Sequence, residues 1–544
     1  MRERSSFAIL EVLGVSALTA AFGLMSFASW RPALAESSIV IEIPDHPSKQ
    51  KDGEAAQSPA KEEAATEVAQ DLLIADEIKE RLAVPGLRNG RNTDDFAAVE
   101  TFYKAWTGPA LWLTTTGLSD RGKATVSAIR RADDWGLDPT LFHVPPDDYR
   151  PQTPADQAAT ELAISLAALK YARAARGGLS ETRTGGDAGD RMPALRPPDD
   201  VLKELSTAAA PDAVLLDLHP KHKQFARLRQ ALLTAKSEQE DLLLRRNMDR
   251  WRRMPESLGL TYVWLNIPEF MVHAVDDGKT VLSEKVVVGG ASSPTPVLSA
   301  DLTEIVVNPE RVVPFAVIRK DILPRLQGRG SFFGGGDTGI LDKYGITVKR
   351  GGRTVDPGTI DWRKVNASTL TFVQKPGRTN IMGKVQFLYP NGRDVFMSGT
   401  ALRGVFARDD RAQGPKDPRV DNAPDLAAHL LVASNGESAE KVKQQIASGK
   451  TSRIKLAKPI PIYMTYFTAV VDETGKVTTF GDVYKLDNLA VADDDGAASQ
   501  GSSQDPSQDS LQDSLQDMAS PPQANETPRP ARKPINGSLA TTVR

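Results

Sequence analysis

Hydrophobic positions along the chain change period twice. From Asp94 to about Met248 they recur at helical spacing: Val99, Phe102, Tyr103 and Trp106 fall on one face, and Val126, Ile129 and Ala132 on another. Gly108-Pro109 breaks the first run before Leu111-Trp112, and Gly136 stops the second. Residues 158–175 are apolar nearly all round, which predicts a buried helix ended by Gly177-Gly178. Leu215, Leu218, Phe225, Leu228 and Leu232 continue the helical pattern. Upstream, Val68, Leu72, Ile78 and Leu82 also sit at roughly helical spacing.

Beyond Tyr262 the period shortens to two. YVWLNIPEFMVHAVDDGKTVLSEKVVVG reads as a strand, a turn at Asp277-Gly278 and a return strand. Residues 424–436 and 439–448 revert to helices, the first with an Asn435-Gly436 stop. Residues 460–469 then predict a strand paired through Asp472–Gly475 with VTTFGDVYKLD. The fold class is α+β, a helical half followed by a mostly β half. The divisions are 1–35, 36–93, 94–248, 249–489 and 490–544.

The two ends read differently from the middle. Arg2 and Arg4 precede an uncharged run and then Ala33-Leu34-Ala35, the pattern of a secretory signal peptide over residues 1–35. The run is long enough that an uncleaved membrane anchor stands as the alternative, and only that alternative makes a membrane a partner. Residues 36–93 read as a low-complexity linker. After Ala492 the chain is rich in Asp, Ser, Gln and Gly, with the repeat DPSQDSLQDSLQD and a basic, Pro-rich end; such a segment buries too little apolar surface to fold alone. A net charge of −3 over 544 residues gives no case for nucleic acid. With no cysteine, stability outside the cytoplasm must come from a packed core.

Candidate chemistry gathers between Phe387 and Val420. Upstream of that stretch stand, in order, Gly289, Pro296, Asn308, Pro309, Pro314, the run Arg319-Lys320-Asp321-Ile322-Leu323-Pro324, Gln374, Pro376, Gly377, Asn380, Gly383 and Phe387. This ordered set resembles the YkuD-type L,D-transpeptidases, in particular the large periplasmic YcbB-like branch that acts on peptidoglycan. The aromatic cluster Phe102, Tyr103, Trp106 and Trp112, with the GLDP turn, resembles the helical scaffold domain of that branch. The resemblance implies a scaffold domain over 94–248, a transpeptidase-like domain over 249–489 with a mobile lid inserted at about 325–362, peptidoglycan stem peptides as ligands, and no cofactor. Within the lid, Gly334-Gly335-Gly336 lacks the following Gly-Lys-Ser/Thr of a phosphate loop and reads as a flexible turn.

Active members use a histidine after a strand and a cysteine in a Ser-x-Gly-Cys-x-Arg loop. Matching this chain through Arg408, Asp409, Arg411, Arg419 and Val420 puts Ser398 at the histidine and Asp417 at the cysteine. Gly414 and Lys416 replace the loop's serine and glycine. A thiolate attacks a carbonyl well and departs readily, given a nearby base. A carboxylate that attacked an amide would itself be expelled, returning the starting material. No serine or threonine occurs between Ala401 and Ala433, and Pro418 removes a backbone N–H where an oxyanion needs donors.

Arg408, Arg411 and Arg419 are the candidate substrate-binding residues, because guanidinium groups suit the carboxylates of a stem peptide. Two other readings stand beside that one: a solvated, self-paired charged loop with Asp409, Asp410, Asp417 and Asp421, or an aspartate dyad or carboxylate metal site. His219 and His222 lack a third ligand and read as a helix start and surface rather than a metal site; His273 reads as exposed or locally satisfied, and His429 as core. The resemblance thus implies a cell-wall protein with three readings: an inactive homologue that binds stem peptides or cell-wall enzymes, an active transpeptidase or hydrolase using other groups, or a scaffold without peptide affinity.

Overall fold

The computed structural model describes residues 74–83, 92–177, 193–328 and 336–487. The N-terminal export segment, the tail beyond 487 and Gly334-Gly335 lie outside these residues. No helix among the described residues is long and apolar enough to cross a membrane.

The helical half is built from α1 (Thr93–Ala105), α2 (Asp120–Arg130), α3 (Pro154–Gly177), α4 (Pro198–Thr207), α5 (Pro211–Asp217), α6 (Lys223–Leu232) and α7 (Glu238–Arg252). Local chemistry sets the starts: the Asn92 side chain accepts from the amides of Asp94 and Asp95, and Ser119 accepts from Gly122. Gly136, at φ 73°, ends the turn Ala132–Trp135 in the left-handed region where glycine is favoured. Residues 74–82 are helical, and Ile74, Ile78 and Leu82 are buried in the same core as Val99, Ile129 and Leu162. The linker expected to run to residue 93 therefore gives way to folded chain by residue 74, because its apolar stripe has a core to enter.

The centre of this half is a buried carboxylate. Glu161 on α3 is fully buried; its Oε1 accepts from the Tyr103 hydroxyl at 2.9 Å and the Leu111 amide at 2.5 Å, and its Oε2 accepts from the Trp112 amide at 3.0 Å. One side chain thereby pins the irregular turn after Gly108-Pro109 onto the helix. The arrangement also explains why Trp112 is wholly enclosed, its indole N–H donating to Ser165 at 2.7 Å.

His219 is buried and not a surface residue. It stacks on Trp135 with ring centroids 4.3 Å apart, and its Nε2 lies 2.9 Å from the Tyr171 hydroxyl. Burial, with Arg252 and Arg229 nearby, holds the imidazole well below its usual range, so it packs as a neutral ring. His222 meets the Pro255 carbonyl at 2.8 Å.

The β half is a closed barrel of β1 (Thr261–Asn266), β2 (Met271–Asp276), β3 (Lys279–Val287), β4 (Leu298–Val307), β5 (Val385–Leu388), β6 (Met397–Ser398), β7 (Arg419–Val420) and β8 (Ser452–Thr465), in the order β5-β6-β7-β3-β2-β1-β8-β4. Asp277 (φ 48°) and Gly278 (φ 71°) both take positive φ in the β2–β3 turn, as a tight two-residue hairpin requires. The helices α8 (Ala423–Asn435) and α9 (Ala439–Ala447) pack their apolar faces into the barrel core, with Gly436 at φ 67° ending α8. His429 on α8 is half-buried and 2.9 Å from Asp276, so it pairs at the edge of the core instead of sitting within it.

The inserted segment extends beyond 325–362 on both sides. Strands Arg311–Val312, Leu370–Gln374, Ile346–Arg350 and Arg353–Thr354 form their own sheet. Val313, Ile318, Ile322, Leu341, Val348 and Phe372 bury beneath it as a separate core. The boundary expected at Met248/Asp249 falls inside α7, which runs on to Arg252 and ends before the first barrel strand begins at Thr261.

The two halves share one core. Phe225, Leu228 and Met248 from the helices bury with Phe467 and Val471, and Trp251 stacks on Phe467 at 4.8 Å. Asn247 and Asn266 close the join: the Asn247 side chain accepts from the amides of Thr468 (2.9 Å) and Ala469 (3.2 Å), and Asn266 accepts from Phe467 (2.8 Å) and donates to its carbonyl (3.0 Å).

Burial raises the Glu161 carboxyl to about 7, against hydrogen bonds that lower it. A raised carboxyl favours folding fully below the unfolded value near 4.5, and that contribution is lost as pH rises through about 7. The unfolding free energy of the unsubstituted protein should therefore fall, relative to that of Glu161→Gln, by about 3 kcal/mol between pH 4.5 and 8. Urea titrations of both proteins at several pH values measure this, and parallel pH curves contradict it.

Candidate functional site

Strands β6 and β7 run parallel with Ser398 opposite Arg419, and the Ser398 amide donates to the Pro418 carbonyl at 3.1 Å. Asp417 comes two residues before Arg419, as Phe396 comes two before Ser398. Asp417 is half-buried, and its Oδ1 accepts from the Phe396 amide at 3.2 Å. Desolvation pushes its carboxyl upward, opposed chiefly by the Arg419 charge.

Arg419 is buried at 8% exposure and donates from Nη1 to the Ser398 hydroxyl, which in turn donates to the Gly399 carbonyl at 3.0 Å. Ser398 itself is fully enclosed. Its hydroxyl thus lies between a guanidinium donor and a carbonyl acceptor. Tyr389 lies close enough for the Asp417 charge to act on it; burial first, and that charge second, push its phenol well above the usual range.

The other two candidate arginines do not join this pair. Arg411 donates to the carbonyls of Val286 (3.2 Å), Phe270 (3.2 Å) and Arg408 (2.9 Å), stapling its loop to β3 and the β1–β2 turn. Arg408 is exposed and reaches Gln413 at 2.8 Å. The aspartates also disperse: Asp410 accepts from the Ala412 amide at 2.9 Å, and Asp421 pairs with Arg403 at 3.2 Å. Among the described residues no group of three or more His, Asp or Glu is arranged to hold a metal. Nor is a histidine recorded at the site: His273 bonds to Ser283 on the barrel wall, and His429 pairs with Asp276.

Close backbone approach shapes the loop that carries Asp417. Gly414 bridges to Gly289, exchanging bonds across 288–290 at 2.8 and 3.0 Å. A Cβ on Gly414 would lie 2.9 Å from Val287 Cγ1 and 3.1 Å from the Val288 carbonyl oxygen. Thr295, almost fully buried, accepts from the Gly289 amide at 2.9 Å and donates to the Lys416 carbonyl at 2.8 Å. Thr295 and Tyr389 were not legible as site residues, because nothing in their spacing connects them to Asp417; Gly289 was legible only as one of the residues that carry the family resemblance. A depression of about 260 Å³ lies in the inserted unit, lined by Gln327, Ile360, Trp362 and Arg363 and by none of Ser398, Asp417 or Arg419.

The barrel, whose short parallel β6–β7 pair carries Ser398 and Arg419, is joined to the helical domain through one shared core. Residues 97–232 match a scaffold domain, and residues 260–417 match an L,D-transpeptidase catalytic domain of the YkuD type. The chain belongs to the L,D-transpeptidase family, with the architecture of its YcbB-like branch. A Haemophilus influenzae protein named "Putative L,D-transpeptidase" is 28% identical over 260 residues, covering 47% of this chain and 51% of that protein. The chain thus spans about half the length of this curated relative.

Because Gly414 has no room for a side chain, Gly414→Ala should destabilise the protein by about 1–3 kcal/mol, and Gly414→Ser by at least as much. Thermal unfolding measures this; a melting temperature unchanged in both variants contradicts the close approach.

Proposed function

We propose that this protein is an exported cell-wall member of its family that performs no transpeptidation and instead binds peptidoglycan stem peptides or the enzymes that work on them. One observation carries this reading: the nucleophile position holds Asp417 in a chain without cysteine, and the histidine position holds a buried Ser398 tied to Arg419. In active relatives the thiol attacks the carbonyl of the third stem residue and expels the terminal D-alanine. A carboxylate in that place cannot complete the exchange, because it is a far better leaving group than the amine it would have to displace.

The loop keeps features suited to holding a ligand. Lys416 and Asp417 are half-buried where the loop enters β7, and the Arg419 charge acts on the Asp417 carboxyl. The signal sequence supports the periplasm as the compartment, and the family supports wall peptides as the ligand class.

Purified protein incubated with disaccharide-tetrapeptide should release no D-alanine, while isolated sacculi should retain it above an unrelated exported protein of similar charge. Release that Asp417→Ala abolishes would overturn the inactive reading. Absence of retention on sacculi would remove the peptide-binding half and leave protein partners as the ligand.

A further inference from the structure

A chain of hydrogen bonds leaves the helical domain at Arg250 and ends on the backbone next to Asp417. Arg250 on α7 pairs with Asp487 at 2.6 Å and donates to Thr468 at 3.0 Å. The Asp487 amide donates to the Asp482 carboxylate at 2.9 Å, and the same carboxylate accepts from the Tyr466 hydroxyl at 2.5 Å. That hydroxyl accepts from the Tyr484 amide at 2.7 Å. The Tyr484 hydroxyl donates to the Gly289 carbonyl at 2.7 Å and accepts from the Thr295 amide at 3.1 Å. Thr295 then bonds the Lys416 carbonyl at 2.8 Å, one residue before the nucleophile position.

Residues 480–487 are thus a strap laid across the barrel, with no strand or helix of their own. The short strand Val477–Thr479 has ended, the Phe480 amide donates to Thr468, and Lys485 takes φ 57° in the left-handed region. Val483, Tyr484 and Leu486 rest half-buried on the barrel core. The strap's position therefore depends on a few polar links, several of them gathered on the one Asp482 carboxylate, which also accepts from the Leu486 amide at 2.8 Å.

We propose that this strap couples the docking of the helical domain to the geometry of the Asp417 loop, with Tyr484 and Asp482 as its positioning residues. Two features argue for coupling over simple packing. The strap is held at one end by the helical domain and at the other by Gly289 and Thr295, and Thr295 in turn bonds the loop at Lys416, so a change at either end reaches the other through groups that share partners. The far end also acts through the Tyr484 hydroxyl, which bonds the Gly289 carbonyl and the Thr295 amide, and not through ring contacts alone. The inference takes from the functional reading only that Asp417 marks the site.

The absence of cysteine makes Asp417→Cys a unique chemical reporter in the full-length protein. The rate and pH profile of its alkylation by iodoacetamide would be measured alone and with Tyr484→Phe, Arg250→Gln or both. Each added substitution should change the rate by about threefold or more and shift the thiol's titration midpoint, and the double substitution should exceed neither single effect by much, because both act on one path. Arg453→Gln, which breaks a surface pair with Glu304 on the far strands, serves as the control and should change nothing. Rates within about 1.5-fold of the parent for both variants, or fully independent effects, would overturn the coupling. Should Asp417→Cys fail to fold, hydrogen exchange at the Gly290 and Gly414 amides in Tyr484→Phe and Arg250→Gln decides the matter: acceleration in both supports the relay, and unchanged exchange in either refutes it. No wall peptide enters these measurements, so the coupling and the peptide-binding reading fail separately.

Discussion

Two buried carboxamides hold this protein together across its two halves. Asn247 from α7 and Asn266 from the first barrel strand satisfy backbone groups of residues 467–469. An unsatisfied buried N–H or C=O costs about 1–3 kcal/mol, so three consecutive residues leaving a strand inside a core would be a severe liability without them. With them, Phe467 can leave the end of β8 and insert between Trp251 and Trp264. Shared apolar burial joins the domains, and the amides decide the one register in which that burial is possible.

The site loop depends on this frame. β6 and β7 are two residues long and could not pair by themselves. They are held by the barrel on either side, by the Gly289–Gly414 approach, and by Arg411 fastening its loop to neighbouring carbonyls. What the loop then presents is an internally neutralised trio of Asp417, Arg419 and Ser398. Such a trio is stable as structure: the cation offsets the desolvation of the acid, and the serine hydroxyl has both a donor and an acceptor to satisfy.

Much of the architecture was legible in local pattern. The helical period of Val99, Phe102 and Tyr103, the Asp277-Gly278 hairpin, the Asn435-Gly436 stop and the Asp472–Gly475 turn each follow from side-chain periodicity or from backbone conformations that few residues adopt. The ordered residues from Gly289 to Phe387 carried the family, and the empty cysteine count removed the thiol without reference to geometry. Patterns failed where a residue's environment comes from distant chain. His219 stands between a leucine and a proline as a surface residue would, yet Trp135 and Tyr171 enclose it. Residues 325–362 are rich in glycine and charge, yet Leu341, Val348 and Trp362 within them bury with Val313, Ile318 and Phe372 from either side. Arg408, Arg411 and Arg419 look alike in sequence, and only pairing of strands separates a loop staple from a partner of Asp417.

The sequence by itself determined which atoms this protein can bring to chemistry: the carboxylates, guanidinium groups and the Ser398 hydroxyl between Phe387 and Val420, and no thiol anywhere. That follows from covalent identity, which folding does not alter. Tertiary structure alone decided what those atoms do, because solvation, pairing and proximity belong to space and not to spacing. It enclosed Ser398 against Arg419, placed Glu161 where burial lifts its carboxyl to about 7, and laid residues 480–487 between the helical domain and the loop.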